Sequence, residues 1–510
     1  MEVIGIKIAI DKNINTPIYL QIFEQIRGQI LRGELMPGFK LPPERKLADS
    51  LGVNRSTVLN AYRELKAEGF VESKVGNGTI VLACIQEEIN KTNEFSEPTW
   101  NHIFSQYSAG FDSHMVKDLL ALASRKDVIS FATGIAAPES GPIEALEGIE
   151  RDIIENRNFR PLLHSPTEGF VTLRSAISGL MHKRGVYCSH EEVMILSGSQ
   201  QGIDIAARVL LDPGDIVVAE EPTFFPAVQA FKATGARIMG VPVDENGMRI
   251  DDLEQLLQRY RPKLIYTMPS FHNPSGVDMD LARRRRLIEL ANRYRILIME
   301  DDAYGDLCYE GHQLPLLKSM DGSGYVIYIS TFSKNVYSGL RLGWMVAHKK
   351  VVTRFAQVKQ IMDLHSSSLS QAIIEKFILN GGIEKHISKL CKDYKYKRDA
   401  MCDALSRFAP AGMTWTRPKG GYYVWCNLPE GISATDLVSK AAEKKVVFVP
   451  GTSFYLSSGQ GDNQIRLNFT YASLSDIAVG VRYLCEAIKE LTESSKKNDP
   501  YMDIEINPIV

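Results

Sequence analysis

The chain lacks paired cysteines. Its seven stand singly at 84, 188, 308, 391, 402, 426 and 485. An odd, scattered set without a Cys-x-x-Cys pair excludes a disulfide scaffold and a cysteine-built metal site, and fits reduced thiols in a cytosol. No apolar stretch reaches membrane-spanning length, and the opening MEVIGIKIAIDKN has neither the basic region nor the cleavage site of a secretory leader. A cytoplasmic protein without a membrane partner or a metal is expected. A large excess of either charge is missing too. A formal net charge of −2 excludes a strongly basic whole-chain binder of nucleic acid but not a small DNA-reading module. Residues 1–82 hold 11 Lys+Arg against 9 Asp+Glu, a near balance that leaves that question open. No internal repeat is present. What remains is 510 residues, 44% hydrophobic and 24% charged, enough for a large core and about two to four domains.

Near the start, Ile18, Ile22, Ile26 and Ile30 recur every four positions and predict one apolar stripe on a helix ending near Gly33 and Pro37-Gly38. Leu41-Pro-Pro-Glu-Arg-Lys-Leu-Ala48 opens a second helix, where prolines are tolerated because the first amides have no helical partner. Leu51-Gly52-Val53 makes a turn, and Asn54 is expected to cap a third helix over 55–65 with Val58, Tyr62 and Leu65 inward. Two short helices around a glycine turn form a helix-turn-helix. Strands over 70–74 and 79–82, joined by Gly76-Asn77-Gly78, predict a hairpin wing. The third helix opens with Arg55-Ser56-Thr57, groups suited to phosphates and base edges.

Residues 83–112 lose periodicity and read as a linker; a helical signal returns at 115–122, and 494–510 read as a flexible tail. Four arginines at 283–286 continue into Leu287-Ile288 and read as an exposed helix face. Apolar runs at 193–196, 216–219, 264–267, 296–299 and 325–329 alternate with helical stretches, which predicts a mainly parallel sheet covered on both faces. Each run is followed by a chemically distinctive group, and ligands of such sheets bind beyond the carboxyl ends of the strands.

Those groups, in order, suit pyridoxal 5'-phosphate. Ser199 and Gln200 open a helix whose free amides could hold a phosphate. Phe224 offers a face to a pyridine ring, and Asn273 an amide to its phenolic oxygen. Asp301 could pair with the ring nitrogen, and Tyr304 could reach the phenolic oxygen. Ser330-Thr331-Phe332-Ser333-Lys334, with Arg341 seven residues on, presents a lysine for a Schiff base beside Thr331, Ser333 and Arg341 as phosphate ligands.

Two resemblances follow. Leu41-Pro-Pro-Glu-Arg45, Leu51-Gly-Val-Asn-Arg-Ser-Thr-Val58, Glu68-Gly-Phe70 and Gly76-Asn-Gly-Thr79 resemble the winged helix of the GntR family. That resemblance implies DNA contacts by Arg45, Arg55, Ser56 and Thr57, with Gly76 letting the wing approach the minor groove. Residues 113–493 resemble a fold-type I aminotransferase, closest to the kynurenine/2-aminoadipate branch. It implies that Lys334 forms the internal aldimine, that Arg466 binds a substrate carboxylate, that 419–425 and 449–454 belong to the small domain, and that the protein is a homodimer. In that family a tyrosine from the neighbouring subunit usually reaches the phosphate where His164 stands here, and tyrosine or tryptophan is common where Phe224 stands.

The whole is similar to MocR-type regulators. The fold expected is an α+β winged helix-turn-helix over 1–82, then an α/β fold-type I aminotransferase with a mainly parallel large domain and a small α+β domain. The function expected is a regulator that binds operator DNA and senses an amino acid or other amino compound by aldimine exchange at Lys334. A working aminotransferase with an appended DNA-binding domain is the alternative.

Overall fold

The computed structural model describes residues 2–3, 6–11, 16–31, 34–74, 78–82, 125, 127–155 and 160–497. Gly33, Gly76 and Asn77, the expected linker at 83–112, the helical signal at 115–122 and the chain beyond 497 lie outside the described residues. The chain divides into two compact units, 1–103 and 104–510.

The first unit runs β1 (Glu2–Val3), β2 (Ile6–Lys7), α1 (Ile18–Leu31), α2 (Glu44–Leu51), α3 (Arg55–Ala67), β3 (Val71–Lys74) and β4 (Gly78–Val81). The isoleucine stripe does what its spacing requires: Ile22, Ile26 and Ile30 are buried among Leu47, Val58, Tyr62 and Leu65. On another side of α1, Gln21, Gln25 and Gln29 bind the backbones of Asp11, Ala9 and Lys7 through both donor and acceptor. One helical turn plus a fraction and two residues of extended chain both advance roughly 6 Å, so the rungs match. Gly52 ends α2 at φ 64. Asn54 holds the N-cap position of α3, but the expected side-chain cap is not made: the side chain is exposed, and only its carbonyl accepts from Thr57 N–H at 3.0 Å. β3 and β4 pair antiparallel from Val71↔Val81 to Lys74↔Gly78.

The second unit is built on an eight-stranded sheet. After β5 (Ile129–Ser130) come β6 (Val193–Leu196), β7 (Ile216–Glu221), β8 (Arg237–Asp244), β9 (Gly247–Met248), β10 (Leu264–Thr267), β11 (Leu297–Asp301), β12 (Val326–Thr331) and β13 (Gly343–Val346). The sheet order is β6-β13-β12-β11-β10-β7-β8-β9. Pairs among β8, β7, β10, β11 and β12 are parallel, while β13 is antiparallel to both β12 and β6. The short connection after β12 cannot cross the sheet, so the chain returns beside it in the opposite sense. Met194 and Leu196 enter one core and Val193 and Ile195 another, which is the two-sided burial expected of such runs.

The small domain follows: β14 (Thr414–Trp415), β15 (Tyr423–Asn427), β16 (Val446–Val447), β17 (Val449–Pro450) and β18 (Gln464–Asn468), with β14-β15-β18-β17 as one sheet and β16 beside β5. The last helix is Leu474–Lys497, so regular backbone continues past the expected limit at 493. The arginine run is not a uniformly exposed face. Arg284 is fully buried, donating to the carbonyls of Pro269, Met279 and Pro315 and to Asp278. Pro269, Asp278 and Met279 flank the loop that carries Asn273, so Arg284 braces it.

Candidate cofactor site

A cavity of about 360 Å³ opens at the carboxyl ends of the parallel strands. It is lined by Ser199, Gln200, Phe224, Asn273, Asp301, Tyr304, Thr331, Ser333, Lys334, Arg341 and Arg466. β6, β7, β10, β11 and β12 all run the same way and bring most of these together from separate segments of the chain, while Arg466 comes from β18 of the small domain.

Lys334 sits at its centre, just beyond β12. Its Nζ donates to the Gly134 carbonyl at 2.6 Å and lies 5.9 Å from the centre of the Tyr304 ring. Burial above all holds its pKa below the ordinary lysine value; Arg466 and Arg341 push the same way, against Tyr423 and Asp301. A lysine so held gives up its proton more readily than one in water and is the more nucleophilic for it.

Asp301 ends β11. Tyr266 donates to its Oδ2 at 2.8 Å, while Oδ1 is buried with no hydrogen-bond partner. Burial pushes its pKa up to about 7, opposed by the Tyr266 hydrogen bond. A buried carboxyl oxygen without a donor is costly unless a ligand supplies one.

The helix Ser199–Leu210 begins at the cavity wall. Gly198 occupies its N-cap at φ 100 and has no side chain to cap the first amides. A Cβ there would stand 2.7 Å from Arg341 Nη2, which would have to move, and the positive φ favours glycine. Arg341 donates to the Ser197 carbonyl at 3.2 Å. Thr331 Oγ1 accepts from Ser333 N–H at 3.1 Å and lies 3.0 Å from Ser333 Oγ. Two hydroxyls, a guanidinium and an uncapped helix start thus share one end of the cavity, a donor set suited to a phosphate.

Arg466 lies on β18, paired with Trp425 on β15. It donates to Asn273 Oδ1 at 2.9 Å and to the Ala132 carbonyl at 3.0 Å, and its guanidinium carbon lies 4.2 Å from the centre of the Tyr423 ring. Its Nε is buried and unpartnered. Asn273 is therefore engaged through its carbonyl end, and Tyr304 through its hydroxyl, 3.0 Å from that of Tyr423.

His164 does not reach this cavity. It is exposed, with Nδ1 3.0 Å from Nε2 of His365. In the first unit Arg45, Arg55 and Ser56 are exposed and Thr57 half-buried, and Arg55 pairs with Glu44 at 3.1 Å. Gly76 lies outside the described residues. Sequence reasoning gave no role to Gly134, Tyr266 or Tyr423. For Tyr423 a signal existed: the preceding Gly420 and Gly421 are forced by close approach, since a Cβ on Gly420 would stand 2.3 Å from the Leu307 carbonyl.

Residues 126–488 match the family described as aminotransferase class I and II, and residues 18–81 match the bacterial regulatory proteins of the gntR family. Over 412 residues the chain is 39% identical to aromatic-amino-acid aminotransferase 1 of Thermococcus litoralis, covering 80% of this chain and 99% of that one. Over 482 residues it is 31% identical to the uncharacterized HTH-type transcriptional regulator YisV of Bacillus subtilis, covering 94% and 98%. Among solved structures, LysN, the alpha-aminoadipate aminotransferase of Thermus thermophilus complexed with N-(5'-phosphopyridoxyl)-L-leucine, matches with a TM-score of 0.73 at 36% identity, covering 78% and 100%.

Proposed function

The chain belongs to the aminotransferase class I and II family with a gntR-family DNA-binding domain ahead of it, and from that premise we propose a transcriptional regulator whose aminotransferase domain senses an amino compound at Lys334. This layout is that of MocR-type regulators, and the family depends on pyridoxal phosphate. Bound, the cofactor supplies an aldehyde that condenses with amines and a ring that draws electrons.

Lys334 offers the amine for that aldehyde. Asp301 offers its unpartnered Oδ1 to a ring N–H, and Phe224 a ring face. Asn273 and Tyr304 would bond the ring's phenolic oxygen. Ser199, Gln200, Thr331, Ser333 and Arg341 would hold the cofactor's phosphate, and Arg466 would take the carboxylate of an incoming amino acid. A ligand that changes what Lys334 and Arg466 hold would be a differential contact able to bias two states of the protein. His164 serves the cavity of a second copy in a homodimer. In the first unit Arg45, Arg55, Ser56 and Thr57 meet operator DNA, with Gly76 at the wing.

The observation that carries this reading is the convergence in one cavity of Lys334 Nζ, the orphaned Asp301 Oδ1 and the uncapped start of Ser199–Leu210. Active transamination is the second reading, favoured by the complete set of site groups and by enzymes among the relatives. A paired measurement tests them: promoter binding with and without pyridoxal phosphate, alongside half-reactions with a panel of amino acids. Promoter binding that responds to amino compounds without sustained keto-acid release supports the sensor. Steady keto-acid production with promoter binding indifferent to ligand overturns it in favour of the enzyme.

A further inference from the structure

Outside the cavity lining, on the helix Lys349–Asp363, lies an ion pair between a buried lysine and a half-buried aspartate. Lys359 has no exposed surface, and its Nζ donates to both oxygens of Asp363, at 2.7 and 2.9 Å. The same carboxylate accepts from Ser197 Oγ at 2.8 Å and from Gln201 Nε2 at 2.7 Å. Gln201 Oε1 in turn accepts from Ser197 N–H at 2.8 Å, and Arg341 donates to the Ser197 carbonyl. Every polar group of Ser197 is thereby fixed.

The arrangement has a front and a back. Gly198, Ser199 and Gln200 line the cavity, whereas Ser197, Gln201, Asp363 and Lys359 do not. A carboxylate near a phosphate dianion is repulsive unless compensated, and a lysine buried alone is costly. Paired, the two charges cancel, and Asp363 keeps its capacity as a multiple acceptor. Clamping both sides of a tight turn from behind holds its amides in place without competing for the ligand.

We propose that Asp363, compensated by Lys359, is a positioning residue that shapes the Ser197–Gln201 turn for the cofactor's phosphate. This rests on the reading of the cavity as a pyridoxal phosphate site. Its signature is selectivity for the phosphate over the aldehyde.

The test titrates the full-length protein, stripped of cofactor, with pyridoxal phosphate and with phosphate-free pyridoxal, followed by visible absorbance and tryptophan fluorescence. Asp363→Asn is expected to weaken pyridoxal phosphate by about tenfold to a hundredfold, the range for losing one charged hydrogen bond, and to leave pyridoxal within about twofold of wild type. Gln201→Ala, which leaves the ion pair intact, is expected to show the same selective loss and serves if Asp363→Asn does not fold. Equal losses for both aldehydes, or no loss for either, overturn the proposal. Wild type that binds neither aldehyde at Lys334 overturns the cofactor site itself, a separate result.

Discussion

The Tyr266 hydroxyl holds Oδ2 of Asp301 at 2.8 Å and leaves Oδ1 of the same carboxyl buried with nothing to bond. That asymmetry has a consequence in pH. Burial raises the Asp301 pKa from 3.8 to about 7, so between those values the folded chain keeps a proton that the unfolded chain has lost. Stability from this group is therefore present at low pH and declines as pH rises through the window up to about 7. A ring N–H supplied by the cofactor reverses the preference, because it favours the ionised carboxylate. Asp301→Asn without cofactor should melt higher than wild type at pH 8, by about 2 °C or more, with the difference shrinking toward pH 4. Thermal melts across that range decide it. A variant no more stable than wild type at pH 8 refutes the cost assigned to burying this carboxyl.

Lys334 is the only lysine among the described residues that lines the cavity. The protein loaded with pyridoxal phosphate should be yellow, and borohydride should fix the cofactor to this residue alone, as read by peptide mass mapping. Lys334→Ala should bind the cofactor only noncovalently and more weakly, and borohydride should no longer fix it. Fixation at another lysine removes Lys334 from its role.

Much of this was legible in sequence, for reasons the structure makes plain. Parallel strands buried on both faces leave continuous β-branched runs, so the strands near 193, 216, 264, 296 and 325 and the groups after them could be read. β13 could not: Gly343-Trp-Met-Val346 begins two residues after Arg341 and looks like part of that loop. The run at 283–286 misled because successive helical residues point about 100° apart, so one of four arginines had to face inward. Contacts such as Ser197–Asp363, 166 residues apart, carry no local signal at all.

Arg466 meets Asn273 and the Ala132 carbonyl, not the lysine or the helix start, which separates its effect from that of the phosphate end. Arg466→Ala should leave the colour of the bound cofactor largely intact. The spectral response to amino acids should weaken by about tenfold to a hundredfold or vanish, as expected for loss of a charge-assisted carboxylate contact. Arg466→Lys, which lacks the planar fork, should recover little. An Arg466→Ala protein that responds to amino acids like wild type would place the carboxylate elsewhere.

Arg55 and Glu44 are paired at 3.1 Å on the exposed face of the first unit. An exposed pair of this kind contributes about 0.2–1 kcal/mol, less than the ~1–3 kcal/mol of a bidentate guanine contact, so DNA can take Arg55 from Glu44. Arg55→Ala should cost about 1–3 kcal/mol on the operator and far less on unrelated sequence if it reads a base. If it meets phosphate only, the loss should be equal on both and the salt dependence shallower by about one unit of slope. Glu44→Ala removes a negative charge beside the DNA and frees Arg55, so it should tighten binding to every sequence alike. In the proposed homodimer two such readers would need a two-part operator, with centres about one helical turn or a multiple apart, or arranged as direct repeats where the linkers allow it. Gel-shift titrations of the three proteins on operator and scrambled duplexes, at several salt concentrations, measure all of this. Cofactor binding should not change in either variant, since the two units have separate cores. An Arg55→Ala protein that binds its operator like wild type takes α3 out of the readout and shifts the weight toward the enzyme reading.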